Sequence, residues 1–195
     1  MLSSCLSGFR SGVPALCRDN VLAMQVKHGF PPVFDPRARV LILGSLPGDE
    51  SLRRRQYYGH PQNQFWALLA AVFGQHLPHY EYERKCAFLL RKRIALWDVL
   101  ERAERRGSLD TAIRNERPND LPALFGELPG LRAVGCNGAK AHQSFRRHFG
   151  VWLNELPGEI SLCRLPSSSP AYAAMPLEAK VRRWRHFLDS ALADS

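Results

Sequence analysis

The chain has 195 residues, with 27 Lys+Arg against 18 Asp+Glu for a formal net charge of +9, 45% hydrophobic residues and 23% charged ones. That length suits one α/β domain with a sizeable core, and no apolar run approaches the ~20 residues that a helical membrane span needs. The basic excess favours polyanionic partners, nucleic acid first among them, through phosphate neutralisation and counterion release.

Cys5, Cys17, Cys86, Cys136 and Cys163 are odd in number and widely separated, and none forms a CxxC pair or sits at zinc-ligand spacing with His. They read as reduced thiols of a cytoplasmic protein that binds no metal and no other cofactor. Residues 1–23 hold Arg10, Arg18, several Ser and no acid before Asp19, a weak likeness to an organelle transit sequence. The preferred reading is a mobile N-terminal extension over residues 1–29, with Met24 as a second candidate start and the domain covering 30–195, because patterning begins at Phe30-Pro31-Pro32.

Arg39 to Gly44 is a β-branched apolar run ended by Gly, the pattern of a buried parallel strand. It leads into a Gly/Pro loop, Gly44 to Gly48. After the basic stretch Arg53 to Arg55, the spacing of Phe65, Trp66, Leu68, Leu69 and Val72 predicts a helix entered through Pro61 and stopped by Gly74. Residues 80–92 read as a second amphipathic helix with Tyr82, Cys86, Phe88 and Leu89 inward, and Ile94 to Val99 as the next strand. A charged helical stretch follows, then a polar connection over Arg114 to Asp120 and a short helix over Leu121 to Phe125.

Leu131 to Cys136 reads as a third strand, followed by a basic helix to Gly150, and Glu159 to Leu165 as a fourth. Pro176 opens a last helix with Val181, Trp184, Phe187, Leu188 and Ala191 on one face. This alternation predicts a three-layer α/β/α sandwich around a four-stranded parallel sheet, with a site built from loops at the carboxyl ends of the strands.

Three strand-end segments stand out: GSLPG at 44–48 with YYGHPQNQFW at 57–66, CNGAKA at 136–141, and LPSSSPAYA at 165–173. Together, over residues 30 to 193, they resemble the uracil-DNA glycosylase superfamily. The double Tyr, LWD at 96–98 and the triple Ser point to its hypoxanthine-DNA glycosylase branch. The resemblance implies a sandwich of the kind just described, base flipping from double-stranded DNA that carries a deaminated or mispaired base, and hydrolysis of the base–deoxyribose bond; a monomer is the default for a protein that must envelop one flipped nucleotide. Such a site must hold and stack the extruded base, read its edge, and stabilise the charge that develops as the base departs.

Uracil-cleaving relatives place a water-orienting Asp, Asn or Glu in the first loop. Leu46 fills that slot here, and the resemblance moves catalysis to Asn63, whose amide could polarise water or the departing purine; the alternative is an Asn that caps the helix or braces the loop through backbone hydrogen bonds. Tyr58 falls where mismatch-specific relatives stack an aromatic ring on the flipped base, a contact worth about 1–3 kcal/mol, unless it joins Tyr57 in the core. His60 is a turn residue before it is a general acid. Gly44, Ser45 and Leu46 belong to a loop whose backbone N–H groups can face a base carbonyl or a phosphate. Asp98 aligns with the strand-end residue that reads the uracil edge, where relatives use Asn; a carboxylate there accepts from hypoxanthine N1–H but repels O6, and the alternative is a cap or loop brace. Asn137 is either a second reader or a loop support.

Ser167, Ser168 and Ser169 occupy the superfamily's second motif, where small side chains let backbone approach phosphates. Ala171 stands in place of an apolar wedge, so Tyr172 is the residue expected to fill the gap left by the flipped base. Arg53, Arg54, Arg55 and Lys140, with Arg146 and Arg147, are candidate phosphate contacts, against the alternative of a solvated basic face. Two further readings compete with hypoxanthine release: uracil or G·T mismatch excision by the same fold, which Leu46 disfavours, and a non-catalytic DNA- or nucleotide-binding module in which GSLPG holds phosphate. No cysteine clustering suggests an iron–sulfur branch, and no Lys of the motifs implies an obligatory lyase step.

Overall fold

The computed structural model describes residues 24–155 and 160–193. Cys5, Cys17 and the transit-like stretch therefore lie outside the described residues. A four-stranded parallel sheet forms the centre, in the order β3-β2-β6-β7, from β2 (Val40–Gly44), β3 (Ile94–Asp98), β6 (Ala133–Asn137) and β7 (Ser161–Leu165). These are the four strands expected, each displaced at its ends by two residues at most; Glu159, the expected start of the last, is outside the described residues.

β2, β3 and β6 are buried on both faces, while the edge strand β7 leaves Ser161 and Arg164 exposed, and alternate residues of the sheet feed two cores. Leu41, Leu43, Ala95, Val134 and Cys136 pack with α4 (Leu121–Gly126) and α5 (Ala139–Asn154) through Leu121, Phe125, Phe145 and Phe149. Val40, Ile42, Ile94, Leu96 and Ala133 pack on the other side against α2 (Phe65–Phe73), α3 (Tyr82–Arg91) and α6 (Leu177–Leu192) through Phe65, Leu68, Leu69, Phe88, Leu89 and Trp184. Period-two alternation into two apolar layers is what a sheet covered on both faces requires, and the three-layer sandwich is the result. Gly135 sets the close approach of α6, since a Cβ there would lie 2.7 Å from Phe187 Cε1.

A second sheet was not expected. β1 (Gln25–His28), β4 (Leu100–Arg105) and β5 (Arg114–Pro118) form a three-stranded antiparallel sheet in the order β1-β4-β5. The charged stretch after Val99, read as helical, is the central strand β4, and the polar connection over 114–120 is mostly β5. The sequence LERAER suits either state by propensity; it is a strand because Leu100 and Ala103 bury against the sandwich while both edges find partners. The end of the expected N-terminal extension supplies one of those edges, β1.

Smaller differences concern helices, and α5, expected to end at Gly150, runs on to Asn154. α1 (Asp49–Arg54) is a short helix where only a basic stretch was read, and α2 begins at Phe65, with Pro61 in the preceding turn. Gly74 ends α2 with φ of 64°, a left-handed cap that glycine adopts without strain. Among the described residues no helix is long and apolar enough to cross a membrane.

Candidate active site

The parallel register brings Gly44 level with Asp98 and Asn137 level with Leu165. All four strands therefore end along one edge, and their connections turn into loops there. Between β2 and β6 the chain direction of winding reverses, the place where open α/β sheets bind ligands. A cleft of about 830 Å³ lies at this edge, walled by Gly44 to Gly48, Tyr58, Asn63, Asp98, Asn137 and Ser167 to Tyr172. Its size is that of a small-molecule or nucleotide pocket. The three segments singled out in the sequence thus meet in one place.

The loop after β2 is held by its carbonyl groups. Gly44 and Ser45 accept from the Val99 and Leu100 amides, and Gly48 accepts from Leu52. Arg105 of β4, 1% exposed, donates to the carbonyls of Leu46 and Pro47. With the carbonyls so engaged, N–H groups are what this loop can present to a ligand. Arg105 was missed in the sequence because its segment read as a solvated helix; only the second sheet turns it under the loop. Ser45 Oγ donates to Asp110 Oδ1 at 2.7 Å, fastening the same loop to the β4–β5 connection.

Asp98 is 4% exposed, and its Oδ2 is buried without a hydrogen-bond partner. Burial, with repulsion from Asp110 added and Arg105 opposing, raises its carboxyl to about 7. Gly44 makes room for this group: a Cβ there would fall 2.2 Å from Asp98 Oδ1 and 3.1 Å from Tyr58 Oη. Asn119 braces the Asp98 backbone carbonyl at 2.8 Å. The cap alternative for Asp98 has no bond to support it, whereas an orphaned carboxyl at a cleft wall is a group waiting for a polar edge.

The two tyrosines divide their duties. Tyr57 is 3% exposed, and its hydroxyl donates toward the Phe30 and Pro31 carbonyls in the core. Tyr58 has φ of 53° and lines the cleft. One face of its ring stacks on Phe65, centroids 3.9 Å apart and 18° between planes. Its hydroxyl is buried and unpartnered, and burial pushes its ionisation well above the usual phenol range. A left-handed φ on a tyrosine costs energy and is retained where surrounding structure demands it.

Asn63 sits in the turn before α2 and on the cleft wall. Its Oδ1 accepts from the Phe65 amide at 3.0 Å. The N-cap of α2 is Gln64, so this bond braces the turn ahead of the helix; that brace and a catalytic role are compatible, since the oxygen is engaged by backbone and the Nδ2 end is the donor this side chain can offer. His60 also lines the cleft, with Nδ1 accepting from the Gln62 amide at 3.1 Å.

The serine loop is folded by its own hydroxyls and held from behind. Ser167 Oγ accepts from Ser169 N–H at 3.2 Å, and Ser169 Oγ from Ala171 N–H at 3.3 Å. Ser168 is fully buried; Asn137 Nδ2 donates to its Oγ at 2.8 Å, and Asn137 Oδ1 accepts its N–H at 2.9 Å. Both ends of the Asn137 amide thus support the loop. The Ser168 carbonyl accepts from Gln64 N–H at 2.9 Å, and buried Lys180 of α6 donates to Gln64 Oε1 and to the Tyr172 carbonyl, each at 2.8 Å. Lys180 carried no signal in the sequence beyond its place on the inward face of α6. Tyr172 is 38% exposed at the cleft rim.

The basic candidates are placed differently. Arg53 and Arg54 bond to Glu50 on α1, side by side and exposed, and Arg55 closes that helix in the left-handed conformation. None of the three lines the cleft. Lys140 does, but its ammonium is paired with Glu116, which Ser144 and His148 also contact. Cys86, Cys136 and Cys163 are free thiols.

The sequence of residues 31–189 matches the family model described as the uracil DNA glycosylase superfamily. The chain belongs to that superfamily. It is 46% identical over 115 residues to a hypoxanthine DNA glycosylase of Methanosarcina barkeri, covering 59% of this chain and 73% of the relative. A hypoxanthine DNA glycosylase of Methanosarcina acetivorans is 43% identical over 134 residues, covering 68% and 85%. A solution NMR structure of a Methanosarcina acetivorans protein, described as a candidate uracil DNA glycosylase, superposes with a TM-score of 0.69 at 39% identity, covering 85% of this chain and 99% of that one. The expectation of this superfamily, and of this fold, is borne out.

Proposed function

We propose that this superfamily member is a monofunctional DNA-deoxyinosine glycosylase, which hydrolyses the bond between hypoxanthine and deoxyribose in a nucleotide flipped out of duplex DNA. The observation that carries this reading is the convergence of the Asn63 amide, the Tyr58 ring and the orphaned Asp98 carboxyl on one cleft, in a chain whose relatives at 43–46% identity are hypoxanthine DNA glycosylases.

The roles follow from the geometry. The extruded purine lies against Tyr58, whose other face rests on Phe65. Asp98, raised to about 7, is substantially protonated at neutral pH. A neutral carboxyl both accepts from N1–H and donates to O6, so the repulsion of O6 by a carboxylate is removed. It then presents the same donor–acceptor pair as the Asn that relatives use. The Asn63 Nδ2 group donates to the purine as it leaves with the glycosidic electron pair, water adds at C1′, and the purine takes up a proton. Lys140, paired with Glu116, is not presented for Schiff-base formation, which supports hydrolysis without a lyase step.

Around this centre the Ser167 to Ser169 loop approaches phosphate through its backbone, and Tyr172 enters the stack vacated by the base. The net charge of +9 supports duplex DNA as partner, and the enclosure of one nucleotide by one chain supports a monomer. Free thiols support a cytoplasmic setting. The test is to incubate the protein with duplexes carrying deoxyinosine, deoxyuridine, deoxyxanthosine or a G·T mismatch and to score abasic sites. Deoxyinosine is expected to be the preferred substrate; strong uracil release beside inert deoxyinosine overturns the base assignment, and no release from any duplex favours a binding module.

A further inference from the structure

Among the described residues, five large hydrophobic side chains are exposed: Met24, Val26, Leu109, Val151 and Tyr172. Leu109 and Tyr172 are the two of these that line the cleft. Leu109, 58% exposed, stands in the connection from β4 to β5, and its neighbours are tied down. Lys27 Nζ donates to the Gly107 carbonyl at 2.6 Å, Ser108 Oγ accepts from the Asp49 amide at 3.0 Å, and Asp110 Oδ1 accepts from Ser45 Oγ at 2.7 Å. The last bond joins this connection to the loop that runs beside Asp98. Leu109 is thus an apolar side chain held in water on a fixed backbone, on the wall that also carries the base-reading group. An exposed leucine alone is ordinary; one presented rigidly at the mouth of a cleft is placed to meet something apolar.

We propose that Leu109 packs against the extruded nucleotide, on its deoxyribose and purine edge, and so holds it after flipping. The proposal rests on the deoxyinosine reading above. Tyr172 has a different part: it is borne by the loop after β7, at the other edge of the sheet, and acts on the duplex stack. The two apolar rim residues therefore act at different stages, one wherever a deoxyinosine is bound, the other only where a stack must be filled.

The experiment compares Leu109→Ala and Tyr172→Ala for binding to oligonucleotides carrying 2′-fluoro-deoxyinosine, which resists hydrolysis, as single strands and as duplexes. Leu109→Ala is expected to weaken binding about fivefold to tenfold on both forms, with an unchanged thermal midpoint because the side chain is exposed. Tyr172→Ala is expected to weaken the duplex alone. Equal affinity of Leu109→Ala and wild type on both forms, or a loss confined to the duplex, overturns the proposal. Failure of the wild-type protein to release hypoxanthine from an ordinary deoxyinosine duplex instead sinks the functional reading, so the two failures are separable.

Discussion

Asn137 at the end of β6 and Ser168 in the loop after β7 hold each other through two hydrogen bonds, at 2.8 and 2.9 Å, in a setting where Ser168 is fully buried. One side chain thereby replaces the backbone ladder that stops at Asn137 and Leu165, and extends the order of the sheet into the loop. Asn137→Ala leaves the Ser168 hydroxyl and amide buried without partners, each a cost of about 1–3 kcal/mol. The expected result is a lower urea midpoint and weaker duplex binding together. Ser168→Ala, which deletes one of the two bonds, is expected to cost less.

The proposed function gives Asn63 two jobs on two atoms, a backbone brace on Oδ1 and a donor on Nδ2, and substitution separates them. Asn63→Ala removes both the brace on the Phe65 amide and the donor, with a stability loss of about 0.5–1.5 kcal/mol from the lost hydrogen bond and a fall in kcat of about 100-fold or more. Asn63→Asp keeps the brace, since a carboxylate oxygen accepts from the Phe65 amide equally well, but has no N–H to donate. Single-turnover rates on deoxyinosine duplexes should therefore fall in both variants, while only the alanine variant loses thermal stability. Recovery of the rate in Asn63→Asp would show that the oxygen, and not the amide nitrogen, matters.

The Asp98 carboxyl is raised by burial, to about 7. The folded protein therefore binds a proton more readily than the unfolded chain between the ordinary Asp value near 3.8 and about 7, so this group makes folding less favourable as pH rises through that window. Asp98→Asn removes the dependence. The difference in urea midpoint between Asp98→Asn and wild type should be small near pH 4 and grow in favour of the variant toward pH 8. The rate should behave in parallel: wild-type release of hypoxanthine falls above about pH 7 as Asp98 ionises, and Asp98→Asn, with its own donor and acceptor, retains activity with that limb of the profile flattened. A wild-type rate that climbs through pH 7 would assign the ionised carboxylate as the active form.

Lys180 joins Gln64, next to Asn63, to the carbonyl of Tyr172. The two rims of the cleft are thus linked through one ammonium group from α6. Lys180→Met fills the same space without the donors, and it should reduce both duplex affinity and the hydrolysis rate while the fold persists. Gln64→Ala should act through the same link, so the double variant is expected to fall short of the sum of the two, by about 0.5–3 kcal/mol of coupling. Additive effects would mean that the two residues act independently.

Some of this was readable in the chain alone. The runs VLILG, IALWD and AVGCN are short and apolar on nearly consecutive residues, the pattern of strands buried on both faces, and the Gly, Asn and Ser-Pro punctuation that follows marks where loops must leave the sheet. Parallel strands with helical crossovers gather those loops at one edge, and it was the resemblance to the uracil-DNA glycosylase superfamily that singled out Asn63, Tyr58, Asp98 and the serine segment as sharing the cleft there.

What the chain could not reveal depends on contacts between segments far apart in sequence. LERAER is as good a helix as a strand until β1 and β5 pair with it, and Arg105 is a surface charge until that pairing turns it beneath Leu46 and Pro47. Likewise the raised Asp98 carboxyl, the burial of Ser168 against Asn137 and the reach of Lys180 to Gln64 are products of desolvation and long-range hydrogen bonding. Local propensity carries no record of either, because both arise only when distant parts of the chain exclude water from the same small volume.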